Sequence, residues 1–573
     1  METVLSGETP IRLTELCCIA IDDERLRPAA ETLSRYMEPL VHRALSVETK
    51  RRSPCLRLEI APQRRGYAIE AASPDVVIIG QDLAQAVRGV YGFLSEVCGV
   101  RMFTADTATY PAHVADIAAD TAISYVPPFE YTETDWFSPK HTEYALFNHI
   151  TGTKYRKLPA ELGGGVDFLS GFAHTMTKEF CAAATYFDDH PDYFALRGGK
   201  RVPQQLCLTN PAVKRVVTDE VLALLRRRHD PKAALQIVSL SQADNLSFCR
   251  CPKCRRAAEN YRSYAGVLLS FVNDVAQAVK DAGYDNVAVE TFAYQYTRTP
   301  PQGIRPADNV IVRLCDIECC FAHPLDDARC KPNAAFAADL KAWATLCKRL
   351  YVWDYGANYC HFAGLFPNLD VMAANMRFFA ENGVKGVYAE GNPTLKTPDT
   401  ELGELRAWLQ TRLFADPACD LARERAAFLN AYYGAGGKAV DEFLKLVCAR
   451  AARGHFGIYS PMRQVLSLTA DEVKRCDAWW DKAEAAAGDK VENVKRSRLC
   501  FEYWKMETRQ GAFRNPATFR KRRAALLCAI NAAGITRLRE STDRKARQIS
   551  LGQAAYFKAY PVASRVLDRV YRK

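Results

Sequence analysis

The chain has 573 residues, of which 48% are hydrophobic and 25% are charged, and its formal net charge is +11. This composition is typical of a soluble globular protein of three or four domains. The basic residues are scattered among 66 acidic ones without a finger motif or an aromatic-basic groove, so nucleic-acid binding is not expected. No run of about 18 apolar residues occurs, which argues against a membrane span.

Strand-like and helix-like segments alternate before residue 125. The runs "LRLEIA" and "DVVIIGQ" have the apolar character of buried strands. Asp82 is a candidate N-cap for a helix whose apolar residues recur at Leu83, Val87, Val90 and Leu94. The sequence therefore predicts a small N-terminal α/β domain over residues 1–125, which ends before the pair Pro127–Pro128.

Eight strand-like runs follow between residues 126 and 415, and helical segments separate the later ones. The runs are "FEYTETDW", "VDFLSGFAHT", "QQLCLTN", "LQIVSLSQADN", "NVAVETFAYQY", "VIVRLCDIE", "RLYVWDYGAN" and "GVKGVYAEGN". Repeated β-then-α units are typical of a (β/α)8 barrel, and a doubly wound sheet is the alternative. No glycine-rich phosphate loop follows any run. We predict a TIM-like barrel at residues 126–415, and no cofactor.

Residues 416–573 are helix-like to the end of the chain and contain no dense cluster of polar and aromatic residues. We predict a helical C-terminal domain that supports or covers the barrel. The oligomeric state does not follow from the sequence.

Twenty cysteines do not make a disulfide scaffold in a chain of this length, and most lie in apolar runs as buried thiols. The exception is "FCRCPKCRRA", with Cys249, Cys251 and Cys254. A structural zinc site needs a fourth ligand, and none lies at standard spacing. We predict no metal there and favour loop thiols or a disulfide, with zinc as the alternative.

Barrel enzymes carry their reacting groups where the strands end. The candidates by this rule are His174, Asn210, Gln242, Asp244, Asn245, Glu290, Tyr294, Tyr296, Arg313, Asp316, Glu318, Trp353, Asp354, Tyr355, Asn358, Glu390 and Asn392. They are mainly carboxylates, amides and aromatic residues. Sugar sites have this composition, because carboxylates supply acid and base while Trp and Tyr pack on a pyranose.

Each candidate also has a structural interpretation. Arg313 and Asp316 can form a buried ion pair, and Glu290 lies in a strand interior where a structural partner is favoured. Trp353 and His174 can be core residues. Asn210 precedes a proline, which is typical of a helix start.

Several segments, taken together, resemble one known family. They are "SQADN" with "CRCPKC", "FAYQYTRTPP", "NVIVRLCDIECCFAHPL", "LYVWDYGAN" and "FPNLDVMAANMRFFAENGVKGVYAEGN". In this order they resemble glycoside hydrolase family 163, which is common in gut bacteria and was long catalogued as a domain of unknown function. The resemblance covers about residues 75–435, because "GVYGFLSEVCGVRMFTAD" looks like the family's N-terminal domain, which is related to that of α-glucuronidases.

The resemblance implies a retaining endo-β-N-acetylglucosaminidase that acts on complex N-glycans, with the substrate acetamido group assisting catalysis. It also implies a secreted, periplasmic or cell-surface bacterial protein, although "METVLSGETPIRL" does not look like a signal peptide. One departure is that "SQADN" lacks the adjacent acidic pair of other substrate-assisted hexosaminidases.

Glu318 is the predicted general acid/base. On an alternating strand Asp316 and Glu318 share a face, and two neighbouring carboxylates raise each other's pKa. Asp316 and Asp244 are the candidates for orienting the acetamido group. The alternative is that Asp316 pairs with Arg313 or His323 and fixes the loop.

Two other functions stay open. One is an α-glucuronidase-like exo-glycosidase, in which Arg313 would hold a substrate carboxylate. The other is a non-catalytic barrel protein that binds glycans. An oligosaccharide or glycoprotein glycan is the expected partner in all cases.

Overall fold

The computed structural model describes residues 10–393, 396–535 and 537–540. They form two compact units. The first consists of the chain up to Pro128 together with Ser138–Thr151 and Tyr155–Gly165, and the second consists of Phe129–Phe137, Gly152–Lys154 and the chain from Val166 onward. The first unit therefore includes two segments that follow the boundary predicted near residue 125.

The first unit is built on a six-stranded mixed sheet with the order β2-β1-β3-β5-β4-β8. Its strands are β1 (Cys18–Ile21), β2 (Ser46–Glu48), β3 (Cys55–Ile60), β4 (Tyr67–Ala72), β5 (Asp75–Gly80) and β8 (Ala122–Tyr125), and a separate ribbon contains β6 (Arg101–Thr104) and β7 (Thr107–Thr109). The helices are α1 (Arg27–Val41), α2 (Leu83–Gly92) and α3 (Thr142–Phe147). The helix predicted after Asp82 is confirmed, because the Asp82 carboxylate accepts the Gln85 N–H at 2.9 Å.

The second unit contains a seven-stranded parallel sheet. Its strands are β9 (Tyr131–Thr134), β10 (Asp167–Phe168), β13 (Gln236–Ser239), β14 (Val287–Ala293), β15 (Val310–Cys315), β16 (Arg349–Tyr355) and β17 (Gly386–Glu390), in the order β10-β13-β14-β15-β16-β17-β9. The strands β11 (Phe194–Arg197) and β12 (Lys200–Leu206) form a separate antiparallel hairpin. The predicted third strand "QQLCLTN" is therefore wrong as a barrel strand, because it pairs with β11.

Helices connect the strands of the parallel sheet and continue beyond them. Those up to the end of the barrel region are α4 (Ala183–Tyr186), α5 (Pro211–Arg228), α6 (Pro252–Asn260), α7 (Tyr264–Asp281), α8 (Lys331–Leu346), α9 (Met372–Glu381) and α10 (Gly403–Ala415). The later ones are α11 (Leu421–Tyr433), α12 (Gly437–Ala451), α13 (Met462–Val465), α14 (Ala470–Ala486), α15 (Val491–Thr508) and α16 (Pro516–Ala532). None of the described helices is long and apolar enough to cross a membrane.

The parallel sheet curls, and Arg313 on β15 shows how strongly. In a flat sheet, β9 would lie about 14 Å from β15, because neighbouring strands are about 4.8 Å apart. Instead, the Arg313 guanidinium carbon lies 5.1 Å from the Tyr131 ring on β9 and 5.7 Å from the Phe168 ring on β10. The rings of Tyr351 on β16 and Tyr388 on β17 also lie next to the Arg313 guanidinium group. Arg313 therefore occupies the interior of a barrel-like sheet.

Gly152 connects the two edge strands of this sheet. Its N–H donates to the Thr132 carbonyl of β9 at 3.0 Å, and it forms a parallel bridge with Val166, next to β10. A Cβ at this position would collide with the Tyr131 and Glu133 side chains, so glycine lets the segment approach β9. A single bridge residue, in a segment with no strand pattern, thus lies between the two edge strands of the seven-stranded sheet.

Candidate active site

The barrel interior holds a buried ion pair. The Arg313 guanidinium donates to a Glu290 carboxylate oxygen at 2.7 Å, and both side chains are fully buried. Burial raises the pKa of Glu290 to about 7, although the charge of Arg313 opposes the increase. The structural interpretation of Glu290 is confirmed. The predicted pair of Arg313 with Asp316 is wrong, because Arg313 faces Glu290 instead.

Glu390 lies at the carboxyl end of β17, above this ion pair. The Trp353 indole N–H donates to its carboxylate at 2.8 Å. Burial and the neighbouring Asp135 raise the pKa of Glu390 to about 8, while Lys154 and the indole hydrogen bond oppose them. Glu390 is therefore a carboxylic acid that keeps its proton near neutral pH.

Asp135 is the neighbour of Glu390 across the strands. It follows Thr134, which is paired with Ala389 in the parallel register of β9 and β17. Its carboxylate accepts the Gly391 N–H at 2.5 Å and the Tyr388 hydroxyl at 3.1 Å. Two acidic residues thus stand side by side at the mouth of the barrel, Asp135 held by a backbone N–H and Glu390 by an indole N–H.

Lys154 supplies the cation at this site. Its ammonium donates to the Tyr388 hydroxyl at 2.6 Å and lies 4.1 Å from the centre of the Phe172 ring. Burial lowers the pKa of Lys154, while Asp135 and Glu390 oppose the decrease. The amine is half-buried, in a pocket of aromatic faces and acids.

Asp244 and Tyr294 lie on the other side of the mouth. The Tyr294 hydroxyl donates to the Asp244 carboxylate at 2.9 Å, and Asp244 is exposed whereas Tyr294 is buried. Burial raises the pKa of Tyr459, and Glu540, Asp244 and Glu390 raise it further. The charges of Asp244 and Glu390 both raise this pKa, so both acids lie in the neighbourhood of Tyr459.

Aromatic rings line this space. Trp353 lies 6.3 Å from Tyr355, with an angle of 28° between the ring planes, and Tyr355 is in edge contact with Tyr359 at 5.8 Å. Such rings can pack against the apolar face of a sugar. Trp353, Tyr355, Tyr294, Asp244 and Glu390 lie at or just beyond the carboxyl ends of their strands, and their predicted roles stay predictions.

Asp316 and Asp354 form a second acidic pair, on the other face of the strands. Trp353 and Arg313 point into the barrel, so their neighbours Asp354 and Leu314 point away from it. Both oxygens of Asp316 are buried, and its carboxyl group is within hydrogen-bonding reach of that of Asp354. Burial and the adjacent Asp354 hold the pKa of Asp316 well above its usual value. The two carboxyl groups can share a proton.

Glu318 makes an ion pair on the same outer face. The Arg298 guanidinium donates to Glu318 at 3.0 Å and to Asp339 of helix α8 at 2.8 Å. Glu318 is therefore fixed between the strand end and an outer helix, and its contacts favour a structural role. The predicted pair of Asp316 with His323 is wrong, since the His323 ring contacts Cys320 and the Ala452 carbonyl.

His174 and Gln242 form part of the wall near Tyr294. The His174 Nδ1 donates to the Gln242 carbonyl at 2.7 Å, and the ring stands edge-on to Phe292. The Gln242 amide donates to the Thr297 hydroxyl at 2.8 Å, while its Oε1 is buried and accepts no hydrogen bond from a described residue. Their predicted roles as sugar ligands stay predictions.

Five other candidates make structural contacts. Asn210 caps helix α5, because its side chain accepts the Ala212 N–H, and Asn245 accepts the Ser247 N–H. Tyr296 stacks on Phe248 at 4.5 Å. The remaining two organise loops: Asn358 donates to the Ser460 carbonyl, and Asn392 contacts Asp399.

The cysteine motif has a partner that the sequence did not reveal. All twenty cysteines are free thiols, which agrees with the predicted loop thiols and excludes the disulfide that was the other expectation. Cys207, which follows β12, brings its thiol to those of Cys249, Cys251 and Cys254, with every sulfur within 4.8 Å of the others.

Asp135 and Lys154 were missed. Asp135 ends the first strand run "FEYTETDW", so the rule applied to the other strand ends would have found it. Lys154 follows the bridge at Gly152, in a segment without strand periodicity, and gave no signal.

The fold is similar to that of a solved glycoside hydrolase. A family GH115 4-O-methyl-α-glucuronidase with specificity for decorated arabinogalactans aligns with a TM-score of 0.57 at 11% identity, over 92% of this chain and 76% of that one. A GH138 enzyme targeting pectin rhamnogalacturonan II gives 0.42 at 10% identity, over 91% and 71%. The GH20 β-N-acetylhexosaminidase from Streptomyces coelicolor A3(2) gives 0.39 at 13% identity, over 74% and 93%. Only the first similarity is close enough to carry an argument, and it shows the fold alone.

No curated protein matches the sequence. A family described as a domain of unknown function (DUF4838) matches residues 102–445, which is more than half of the chain and includes the strand ends described above. The chain belongs to the DUF4838 family.

Proposed function

We propose that this protein is a glycoside hydrolase whose active site is the mouth of the barrel and whose general acid is Glu390. The observation that carries the proposal is the position of Glu390 at the carboxyl end of β17, bonded to the Trp353 indole, where burial and the neighbouring Asp135 raise its pKa to about 8. An acid of this pKa is protonated near neutral pH and can give its proton to a glycosidic oxygen.

The other groups at the mouth suit an oxocarbenium-like transition state. Asp135 places negative charge beside Glu390, and Asp244 places a second carboxylate across the space that Tyr459 borders. Trp353 and Tyr355 offer ring faces to a pyranose. In this scheme Glu390 protonates the leaving oxygen and later, as a carboxylate, takes a proton from the attacking water.

For the substrate we propose a glycan that contains N-acetylglucosamine. The ordered motifs that resemble glycoside hydrolase family 163 support a retaining endo-β-N-acetylglucosaminidase acting on complex N-glycans. In this reaction the acetamido oxygen of the substrate attacks the anomeric carbon. The Tyr294–Asp244 pair, 2.9 Å apart, is suited to orient the acetamido group. Such a substrate favours a secreted, periplasmic or cell-surface location in a bacterium.

The test is incubation with a complex-type N-glycoprotein, followed by mass analysis of the released sugars. We expect a free oligosaccharide that ends in one N-acetylglucosamine, with its partner left on the protein. No release across a broad panel of glycans contradicts the proposal.

Lys154 favours one alternative, an α-glucuronidase-like exo-glycosidase. Its half-buried ammonium stands beside Glu390, where it can pair with a uronate carboxylate. Arg313 is fully buried and bonded to Glu290, so it is not placed for that role. Hydrolysis of glucuronyl-xylooligosaccharides but not of N-acetylglucosaminides favours this alternative. A glycan-binding protein without activity would bind both substrates and cleave neither.

A further inference from the structure

We propose that Cys207, Cys249, Cys251 and Cys254 bind a structural zinc ion. These four thiols are all buried, and their sulfur atoms lie within 4.8 Å of one another. A tetrahedral zinc site has Zn–S bonds of about 2.3 Å and therefore sulfurs about 3.8 Å apart. The Cys207 sulfur lies 3.7 Å from that of Cys251 and 3.9 Å from that of Cys254.

The groups around these thiols are donors, as thiolates require. The Leu196 N–H donates to the Cys249 sulfur at 3.3 Å, and the Cys254 N–H donates to the Cys251 sulfur at 3.4 Å. The Thr209 hydroxyl lies 3.1 Å from the Cys254 sulfur. Such outer contacts orient metal ligands and spread their negative charge.

The ion would join two separate segments of the chain. Cys207 follows the β11–β12 hairpin, Cys249 and Cys251 lie in the loop after β13, and Cys254 is in the first turn of α6. The same loop carries Asp244, and Gln205 binds the Ala243 backbone beside it at 2.7 Å. The zinc ion would therefore hold the loop that presents Asp244 to the mouth of the barrel.

A second, independent cluster has the chemistry of a Cys2His2 site. Cys320, His323, Cys330 and His455 bring their ligand atoms within 4.8 Å of one another. The His323 Nε2 lies 3.0 Å from the Ala452 carbonyl and so carries the proton, which leaves the lone pair on Nδ1. That Nδ1 lies 3.5 Å from the Cys320 sulfur, close to the separation of about 3.5 Å expected in a tetrahedral site.

We infer that this second cluster binds zinc between the loop after β15 and the end of helix α12. Cys330 lies 3.8 Å from the His455 Nδ1. His455 is exposed, whereas the four cysteines of the first cluster are buried. The second ion should therefore leave more readily than the first in the presence of a chelator.

The test is elemental analysis of the full-length chain, purified under reducing conditions without added metal. We expect about two zinc ions per chain, and about one in Cys207→Ser and in Cys330→Ser. The control, Cys528→Ser, removes an exposed thiol outside both clusters and should keep about two. A chain that has no zinc and takes up neither Zn2+ nor Co2+ after reduction overturns both sites.

A ligand variant can fail to fold, so X-ray absorption of the wild-type chain is the second measurement. Two filled sites average three sulfurs and one nitrogen per zinc, with Zn–S near about 2.3 Å. An average of four sulfur ligands per zinc supports the first site and overturns the second. An average of two sulfur and two nitrogen ligands supports the second site and overturns the first. Coordination mainly by oxygen overturns both.

Discussion

The Trp353 indole N–H donates to the Glu390 carboxylate at 2.8 Å, and this bond joins the ends of two neighbouring barrel strands. The bond fixes one oxygen of Glu390 and opposes the rise of its pKa that burial and Asp135 cause. The pKa of the proposed acid therefore depends on two neighbours, Trp353 and Asp135, whose effects are opposite in sign.

The rate of hydrolysis should fall as the pH rises through about 8. A general acid works only when it is protonated, and Glu390 loses its proton near that pH. The measurement is kcat/KM against pH for a natural glycan. A rate that stays constant to pH 10 contradicts the assignment of Glu390.

Two substitutions should move this alkaline limb in opposite directions. Trp353→Phe removes a hydrogen bond that favours the charged form of Glu390, so the limb moves to higher pH. Asp135→Asn removes the negative charge that disfavours ionisation, so the limb moves to lower pH. The amide oxygen of Asn can still accept the Gly391 N–H, which makes the second variant a conservative change. If the alkaline limb moves in the same direction in both variants, the assignment of Glu390 as the acid is contradicted.

Arg313→Met should destabilise the fold without a specific effect on substrate carboxylates. It leaves Glu290 buried without its cation, which costs about 3–5 kcal/mol of unfolding free energy. The loss should be smaller at pH 5 than at pH 8, because Glu290 can then accept a proton. The loss of unfolding free energy is measured by urea unfolding of the variant and the wild type at both pH values.

The control for this prediction is the double variant Arg313→Met with Glu290→Leu, which removes both charges. It should recover much of the lost stability. A stable Arg313→Met protein that selectively loses affinity for uronates would instead support the clamp proposed for an α-glucuronidase.

Asp316→Asn should flatten the dependence of stability on pH. The folded-state pKa of Asp316 is raised above its unfolded value, so its contribution to stability is present at low pH and lost as the pH rises through the folded pKa. Asparagine carries no charge and can donate to Asp354. The variant should therefore have a Tm at pH 8 that equals or exceeds that of the wild type.

The matched control is Asp244→Asn, at an exposed carboxylate with one hydrogen bond from Tyr294. It should leave the slope of Tm against pH unchanged. If Asp316→Asn is less stable at pH 8 and keeps the wild-type slope, Asp316 and Asp354 do not share a proton.

The barrel could be predicted because most of its strands are buried apolar runs followed by helices. The runs that became β13 to β17 carry this pattern, and each was found. The pattern failed at Gly152, where one bridging residue lies between the edge strands, and at "QQLCLTN", a strand of the hairpin. Strand propensity is local, whereas the choice of sheet depends on partners far away in the chain.

The sequence could be used to predict that the candidate residues lie at strand ends, but not to predict the role of each residue. Strand β15 ends at Cys315 and the chain turns at Asp316–Cys319, so the side-chain alternation assumed for Asp316 and Glu318 does not apply there. The sequence also could not show that the Glu318 carboxylate pairs with Arg298, beside α8. The full ligand sets of the two proposed zinc clusters could not be predicted either, because some of their ligands lie far apart in the sequence. Cys207 lies 42 residues before Cys249, and His455 lies 125 residues after Cys330.

The most direct test of the central claim compares Glu390→Gln with Glu318→Gln on a natural glycan and on an activated aryl glycoside. Glu390→Gln should lose about 10²–10⁴-fold in kcat on the natural glycan and much less on the aryl substrate, whose leaving group needs little protonation. Glu318→Gln should keep its kcat and lose about 1–2 kcal/mol of unfolding free energy with its ion pair. Near wild-type turnover by Glu390→Gln, with loss of turnover in a folded Glu318→Gln, would contradict the account and return the acid to Glu318.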